Sequence, residues 1–273
     1  MAEIHAMTDI GRHRKKNEDC FLINDFIANS GNKHILVEGD FITAVADGVG
    51  GYNAGEIASH LALEQLSGKY NELAKDSSIS AINNLTRFSE DILSDTILDA
   101  HHNILAYGSR YPEARGLCAT IAGILCVENK ITVFHVGDSR VYRFRDGRLK
   151  RLTRDHSLVQ VLFDSGKITR EAMLNHSQKH IILQSVGGKN DSINAEIQCL
   201  RSGFEAGDIF IICTDGLTDM VKDEVIEEIL ACEDTSTAVK ELIVKANEKG
   251  GHDNVTIVAV SNNKDGIKTH TFQ

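Results

Sequence analysis

Three apolar runs in this sequence each carry an aspartate at one end. FITAVA leads into Asp47-Gly48, IFIICT leads into Asp215-Gly216, and Asp253 opens the run NVTIVAV. Short unbroken apolar runs of this kind read as strands covered on both faces. An Asp-Gly pair after a strand is ordinarily a turn, and Asp146-Gly147 and Asp265-Gly266 have that plain character. Recurrence at the ends of strands that must be buried sets the other three apart. Carboxylates gathered at neighbouring strand ends repel one another unless cations lie between them. A ligand set made only of oxygen selects hard ions such as Mg²⁺ or Mn²⁺.

The surrounding pattern mixes two periods. CFLIND, KHILVE, ATIAGILCVE, KITVFHVG, RVYRFR and INAEIQCL read as strands, with turns at Glu128-Asn129-Lys130 and at Asp146-Gly147. Helical spacing covers 54–74 and 79–107, and it returns in DEVIEEILA and STAVKELIVKANEKG. A polar, helical stretch over 157–179 interrupts the strands and reads as an insertion on the surface. Antiparallel strands with paired helices between them predict an α+β sandwich. No linker rich in Pro, Gly or Ser divides residues 1–273, so the chain is read as a single domain.

Charge narrows the partners. Lys and Arg number 29 against 39 Asp and Glu, a formal net charge of -10. That balance argues against nucleic acid, whose phosphates select surplus Lys and Arg, and against an anionic membrane surface. No apolar run approaches the roughly 20 residues of a membrane helix. The first residues lack the apolar core of a secretory signal. The six cysteines are scattered without a C-x-x-C pair, four of them in apolar strand-like runs. Buried free thiols in a reducing cytoplasm are therefore expected.

Other polar spots join the pool. Asn17-Glu18-Asp19 precedes the first of these strands and Asp138 follows KITVFHVG. Each is either a solvated turn or a further oxygen ligand. The basic stretch 12–16 is either a solvated face or, through Arg14, a fork for phosphate oxygens. The glycine-rich stretch 47–55 has no Lys after it and is not a Walker loop; its dinucleotide signal is weak. Gly48 would supply backbone freedom beside Asp47, letting its carbonyl reach a metal. His135, His156, His176 and His252 lie near these segments and are read as structural hydrogen-bonders.

Taken together, GRHRKKNED, VADGVGGYNAGEIAS, GLCATIAG, HVGDSRVYRFRDGRLKRLTRDHSLV, IFIICTDGLTD and GGHDNVTIVAV resemble the metal-dependent protein phosphatases (PPM, type 2C), bacterial branch. The segments stand in family order from Gly11 to Val260. The resemblance implies a four-layer αββα sandwich: two central antiparallel β-sheets flanked by helices, with a small helical flap over 157–179. It implies a centre of two Mn²⁺ or Mg²⁺ ions and a weaker third site. By motif position Asp47 bridges the two ions, Asp215 and Asp253 hold one, and the Gly48 carbonyl and Glu18 serve the other. Asp138 joins Asp215 at the third site, Arg14 binds phosphate, and Asp19 and Asn254 orient the ligands.

The implied reaction is hydrolysis of phosphoserine and phosphothreonine by in-line attack of a metal-bridging hydroxide, without a phosphoenzyme. Asp47, Asp215 and Arg14 are then the catalytic residues. The implied partners are phosphorylated proteins and a cognate bacterial Ser/Thr kinase. Eukaryotic relatives place a histidine after the Asp-Gly as general acid; Val49 stands here, so the proton donor is unassigned. Bacterial members often continue Gly-Gly-His, where this chain has Gly51-Tyr52. Two other functions compete: a silent scaffold of the same fold, and a phosphatase acting on an anti-sigma factor antagonist. The complete ligand set argues against the scaffold. The absence of sensor domains favours a free-standing phosphatase over the last reading.

Overall fold

The run IFIICT buries both of its faces. Phe210 and Ile212 join one apolar cluster, and Ile211 and Cys213 join another. A strand covered on both sides needs a layer above and a layer below, and this chain supplies them as a second sheet and a pair of helices. The computed structural model describes residues 1–50, 54–75, 90–190 and 192–262. The first strands are β1 (Ala2–Asp9), β2 (Asp19–Ile23), β3 (Phe26–Ala28), β4 (Gly31–Val37) and β5 (Phe41–Val49). Helices α1 (Gly55–Lys75) and α2 (Glu90–Arg110) follow. Then come β6 (Cys118–Ala119), β7 (Ile121–Val127), β8 (Lys130–Val136), β9 (Arg140–Arg145) and β10 (Arg148–Arg151). Two short helices, α3 (Leu158–Asp164) and α4 (Arg170–Leu174), precede β11 (Val186–Gly187), β12 (Glu196–Cys199) and β13 (Ile209–Cys213). The chain continues through α5 (Asp215–Thr218), α6 (Asp223–Cys232), α7 (Thr235–Glu248) and β14 (Val255–Asn262).

The strands form two antiparallel sheets. One is six-stranded in the order β10-β9-β13-β14-β1-β4. The other is eight-stranded, β11-β6-β5-β7-β8-β12, with β2 on β5 and β3 on β2. Ile4, Phe21, Phe41, Ile124, Phe210 and Val258 fill the space between the sheets. α1 and α2 cover the outer face of the larger sheet through Leu63, Leu66 and Ile97 against Leu22 and Phe134. α6 and α7 cover the smaller sheet through Ile226 and Leu242 against Ile211 and Ile257. This is the αββα layering that the resemblance implies. Among the described residues no helix is long and apolar enough to cross a membrane.

Local chemistry sets the joints. Glu128 and Asn129 take φ of 48° and 65°, and Asp146 and Gly147 take 52° and 73°. Paired left-handed residues make the tight turns whose twist suits a hairpin. α7 starts where Asp234 Oδ1 accepts from the Ser236 and Thr237 amides at 3.0 and 3.1 Å. The stretch 157–179 holds α3 and α4, capped by Ser157 and Thr169.

Several expectations shift. β1 was not read from the sequence: AEIHAMTD puts only Ile4 and the small Ala2 and Ala6 into the inter-sheet core, a weak apolar signal. Asp47 lies inside β5 rather than ending it, because Gly48 and Val49 still pair with Ala119 and Cys118 on β6. Asp215 opens α5 rather than a turn. The helix expected over 79–107 appears as α2; 79–89, Tyr52 and Asp265-Gly266 lie outside the described residues. Cys20, Cys126 and Cys213 are buried free thiols, whereas Cys199 and Cys232 are exposed.

Phe210 faces the inter-sheet layer and is fully buried. Phe210→Ala is expected to cost about 3–5 kcal/mol, read as a lower urea midpoint at unchanged slope. An unshifted midpoint would contradict the layering given to β13.

Candidate metal centre

Strand ends from both sheets meet at one end of the sandwich. Asp19 opens β2 directly opposite Asp47 on β5. Asp138 follows β8, Asp215 follows β13, and Asp253 lies just before β14. Antiparallel pairing brings these positions to a common edge, with Glu18 beside them.

Backbone clamps hold Asp47 in place. Its amide donates to Thr120 Oγ1 at 3.1 Å, and its carbonyl accepts from the Thr120 amide at 2.8 Å. Thr120 Oγ1 lies 2.6 Å from Ser139 Oγ, which ties this clamp to the turn carrying Asp138. The Gly48 amide donates to the Glu18 carbonyl at 3.2 Å. A Cβ on Gly48 would overlap the Gly55 carbonyl oxygen, so a side chain there would push the start of α1 away from the site.

Asp19 joins the two sheets. Thr214 and Thr256 Oγ1 donate to its Oδ2 at 2.8 and 2.7 Å. Thr8 Oγ1 lies 2.7 Å from Thr256 Oγ1 and accepts from Asn17 Nδ2 at 2.7 Å. A buried carboxylate on the larger sheet is thus gripped by hydroxyls from the smaller one. Asn254 does the same for the loop before β2. Its Oδ1 accepts from the Glu18 amide at 2.8 Å, and its Nδ2 donates to the Ile10 and Lys16 carbonyls, both at 2.9 Å.

Arg14 sits on that loop, half exposed, and its Nη2 donates to Asp253 Oδ2 at 2.6 Å. This hydrogen bond and the nearby acidic groups raise its proton affinity further. Gly11, at φ of 81°, permits the approach: a Cβ there would overlap the Asp253 carbonyl oxygen.

Burial pushes the carboxyl groups up, and their mutual charge pushes them further. Asp19 and Asp215 rise to about 7. Asp47 and Asp138 rise well above the usual carboxylate range, and Glu18 rises mainly by burial. Asp47 and Asp215 lie close enough for each to bear on the other's charge. Asp138 Oδ1 and Asp215 Oδ1 are buried with no hydrogen-bond partner among the described residues. Orphaned anionic oxygens beside a backbone carbonyl form a donor set suited to a hard divalent cation, and Glu18, Asp47, Gly48, Asp138, Asp215 and Asp253 could all contribute.

The sequence reading missed some neighbours. Thr8, Thr120, Thr214 and Thr256 hold the carboxylates but look like ordinary strand residues. Asp219 lies one helical turn after Asp215 in IFIICTDGLTD, a spacing that places both on one face. Asp219 adds its charge to Asp215, and His180 stands within ligand distance of both. Lys179 pairs with Asp219 at 2.9 Å, which brings the end of the 157–179 stretch to the edge of the centre. Arg140 makes a two-pronged pair with Asp155 at 3.0 and 2.7 Å. His135 bonds the Arg154 carbonyl at 2.9 Å and His156 accepts from the Gly137 amide at 3.2 Å. His156 Nε2 is buried without a hydrogen-bond partner among the described residues, and with His135 and Glu196 it forms a group whose ligand atoms lie within 4.8 Å of one another.

A family model described as protein phosphatase 2C matches residues 12–250. The serine/threonine phosphatase stp of Listeria innocua is 33% identical over 257 residues, spanning 94% of this chain and 94% of that protein. The solved serine/threonine phosphatase of S. agalactiae superposes with a TM-score of 0.78 at 32% identity, covering 96% of this chain and 99% of that one. The catalytic domain of the phosphatase PstP, solved in complex with two manganese ions, gives 0.72 at 30% identity over 96% and 99%. Likeness of this extent in sequence and in fold shows that the chain belongs to the protein phosphatase 2C (PPM) family of serine/threonine phosphatases.

Proposed function

We propose that this protein is a Mn²⁺- or Mg²⁺-dependent phosphatase that hydrolyses phosphoserine and phosphothreonine in proteins and opposes a bacterial Ser/Thr kinase in the cytoplasm. Residues 1–273 act as one catalytic unit, with 157–179 as a flap that meets the phosphoprotein. The observation that carries the reading is the pair of buried, unpartnered carboxylate oxygens on Asp138 and Asp215 within a ring of acidic groups beside Arg14. The PstP catalytic domain, a relative of the same fold, is complexed with two manganese ions.

Asp47, Asp215, Asp253, Glu18 and the Gly48 carbonyl would hold two ions, and Asp138 with Asp215 a weaker third. When bound, such ions supply water acidified to a nucleophile near neutral pH and positive charge for the phosphate oxygens. The chain's own groups do the rest. Asp19, gripped by Thr214 and Thr256, keeps Asp47 in register across β2 and β5. Arg14 trades Asp253 for phosphate oxygens, which its fork matches in a bidentate way. Val49, half exposed at the site's edge, offers no proton to the leaving alkoxide.

The test is hydrolysis of p-nitrophenyl phosphate and of a phosphothreonine peptide, with Mn²⁺, without it and after EDTA. Turnover that needs Mn²⁺ and disappears with EDTA supports the proposal; inactivity of folded protein under every divalent metal sinks it. Asp215→Asn is expected to remove most turnover by stripping a ligand charge, and near-wild-type rates would refute the site assignment. Arg14→Ala is expected to raise KM for small phosphoesters while Mn²⁺ still binds; an unchanged KM leaves Arg14 as surface charge. Thr256→Val removes one of the two hydroxyls on Asp19. It is expected to weaken Mn²⁺ affinity about 10–100-fold with the fold intact, as measured by calorimetry.

A further inference from the structure

A second cluster of metal-competent side chains lies on the outer face of the six-stranded sheet. Ile4 and Ala6 point into the inter-sheet core, so Glu3 and His5 point the other way, towards the layer of α7. β4, the edge strand, places His34 directly opposite His5. The two imidazoles stack with centroids 4.2 Å apart and planes 1° from parallel. Both Nε2 atoms converge on one oxygen, Glu3 Oε1, at 3.1 Å from His5 and 3.0 Å from His34.

That spacing has a chemical meaning. In tetrahedral zinc, bonds of roughly 2.0–2.2 Å hold neighbouring ligand atoms a little over 3 Å apart. The cross-strand pair has therefore already brought each imidazole nitrogen to about that separation from Glu3 Oε1, with all three ligand atoms within 4.8 Å of one another, and ligation turns the exposed His34 ring out of the parallel stack. Two nitrogens and one carboxylate oxygen suit a borderline ion such as Zn²⁺ better than Mg²⁺ or Mn²⁺. Burial lowers the proton affinity of His5, which favours the neutral, ligating imidazole, and Asp234 adds negative charge nearby. His34 is 52% exposed, which opens a path from solvent and leaves a coordination position for water. Along β1 the cluster lies four residues, roughly 13 Å, from the end that carries the catalytic carboxylates.

We infer that Glu3, His5 and His34 form a binding site for Zn²⁺ or a similar d-block divalent cation, which clips the edge strand β4 to β1 independently of the phosphatase centre. Bound there, Zn²⁺ takes the Nε2 lone pairs of two neutral imidazoles whose protons sit on Nδ1, and adds a metal cross-link to the backbone ladder and the His5–His34 stack that already join the two strands. A ligand that binds only the folded state raises its stability by mass action.

The experiment is calorimetric titration of the full chain with Zn²⁺ in excess Mg²⁺, which occupies oxygen-only sites, beside melting curves over a Zn²⁺ series. One equivalent of Zn²⁺ should bind, and Tm should climb with Zn²⁺ concentration. His34→Gln, on the exposed edge, should lose both effects while Mn²⁺-dependent phosphatase turnover stays at the wild-type level. Glu3→Gln should weaken the same isotherm. Cobalt(II) should give the intense visible bands of a low-coordinate, nitrogen-ligated ion in the wild type and lose them in His34→Gln. No Zn²⁺ uptake by the wild type overturns the inference. So does uptake that His34→Gln leaves unchanged, which would put the ion on the carboxylates instead.

Discussion

Repulsion between buried carboxylates is the constraint around which this molecule is organised. Two like charges about 5 Å apart oppose each other by about 3 kcal/mol at an effective dielectric of about 20. A domain's entire margin of stability is about 5–15 kcal/mol. Asp19, Asp47, Asp138 and Asp215 therefore cannot all stand ionised and unaccompanied at one end of the sandwich. Their raised proton affinities express that conflict, and so do the orphaned oxygens of Asp138 and Asp215. A fold that keeps them together must hold them mechanically. It is also poised to gain stability from any cation that replaces the protons.

The holding is done by the sheets. Each acidic group sits within two residues of a strand's end, so its backbone is fixed by a ladder or by a threonine beside one. The two ladders would be free to slide were it not for contacts across them. Asp19 belongs to the larger sheet, yet Thr214 and Thr256 of the smaller sheet's connections satisfy it. Asn254 and Gly11 bring the Arg14 loop against Asp253 in the same manner. Apolar burial is non-directional, and by itself it would tolerate small shifts. Directional hydrogen bonds to buried oxygen do not, because a lost partner leaves the desolvation cost unmet.

The aspartates at strand ends were legible because an apolar run followed by a charge is a steep local contrast. Recurrence of that contrast sets Asp47, Asp215 and Asp253 apart from ordinary turns, and six motif segments in order carried the family. What was not legible has a common cause: it depends on partners distant in the chain. β1 contributes only Ile4 and two small alanines, Ala2 and Ala6, to the inter-sheet core, and its strand identity comes from pairing with β14 and β4. Thr8, Thr214 and Thr256 resemble any strand threonine until they are found around Asp19. The Glu3, His5 and His34 cluster needs the β1–β4 register, which sequence spacing does not contain. Asp219 was within reach, since its distance of one helical turn from Asp215 can be counted.

The segment 157–179 is built on different physics from the centre it borders. α3 and α4 contribute little apolar surface, with Val159 buried and Val161 and Phe163 left exposed. Its attachment rests on polar contacts. The Leu158 amide reaches the Ile181 carbonyl at 2.9 Å, the Leu183 amide reaches the His156 carbonyl at 2.7 Å, and Lys179 pairs with Asp219. Partly exposed ion pairs contribute about 0–1 kcal/mol each, far less than a buried phenylalanine. The carboxylates are thus fixed by strands whose displacement would expose the core, while the segment proposed to meet a phosphoprotein is fixed by contacts cheap to rearrange. On the proposed function, change in residues 157–178 would alter which phosphoprotein is accepted without disturbing the geometry that positions Asp47 and Asp215. Lys179 is the exception, because its partner Asp219 also belongs to the charge environment of Asp215.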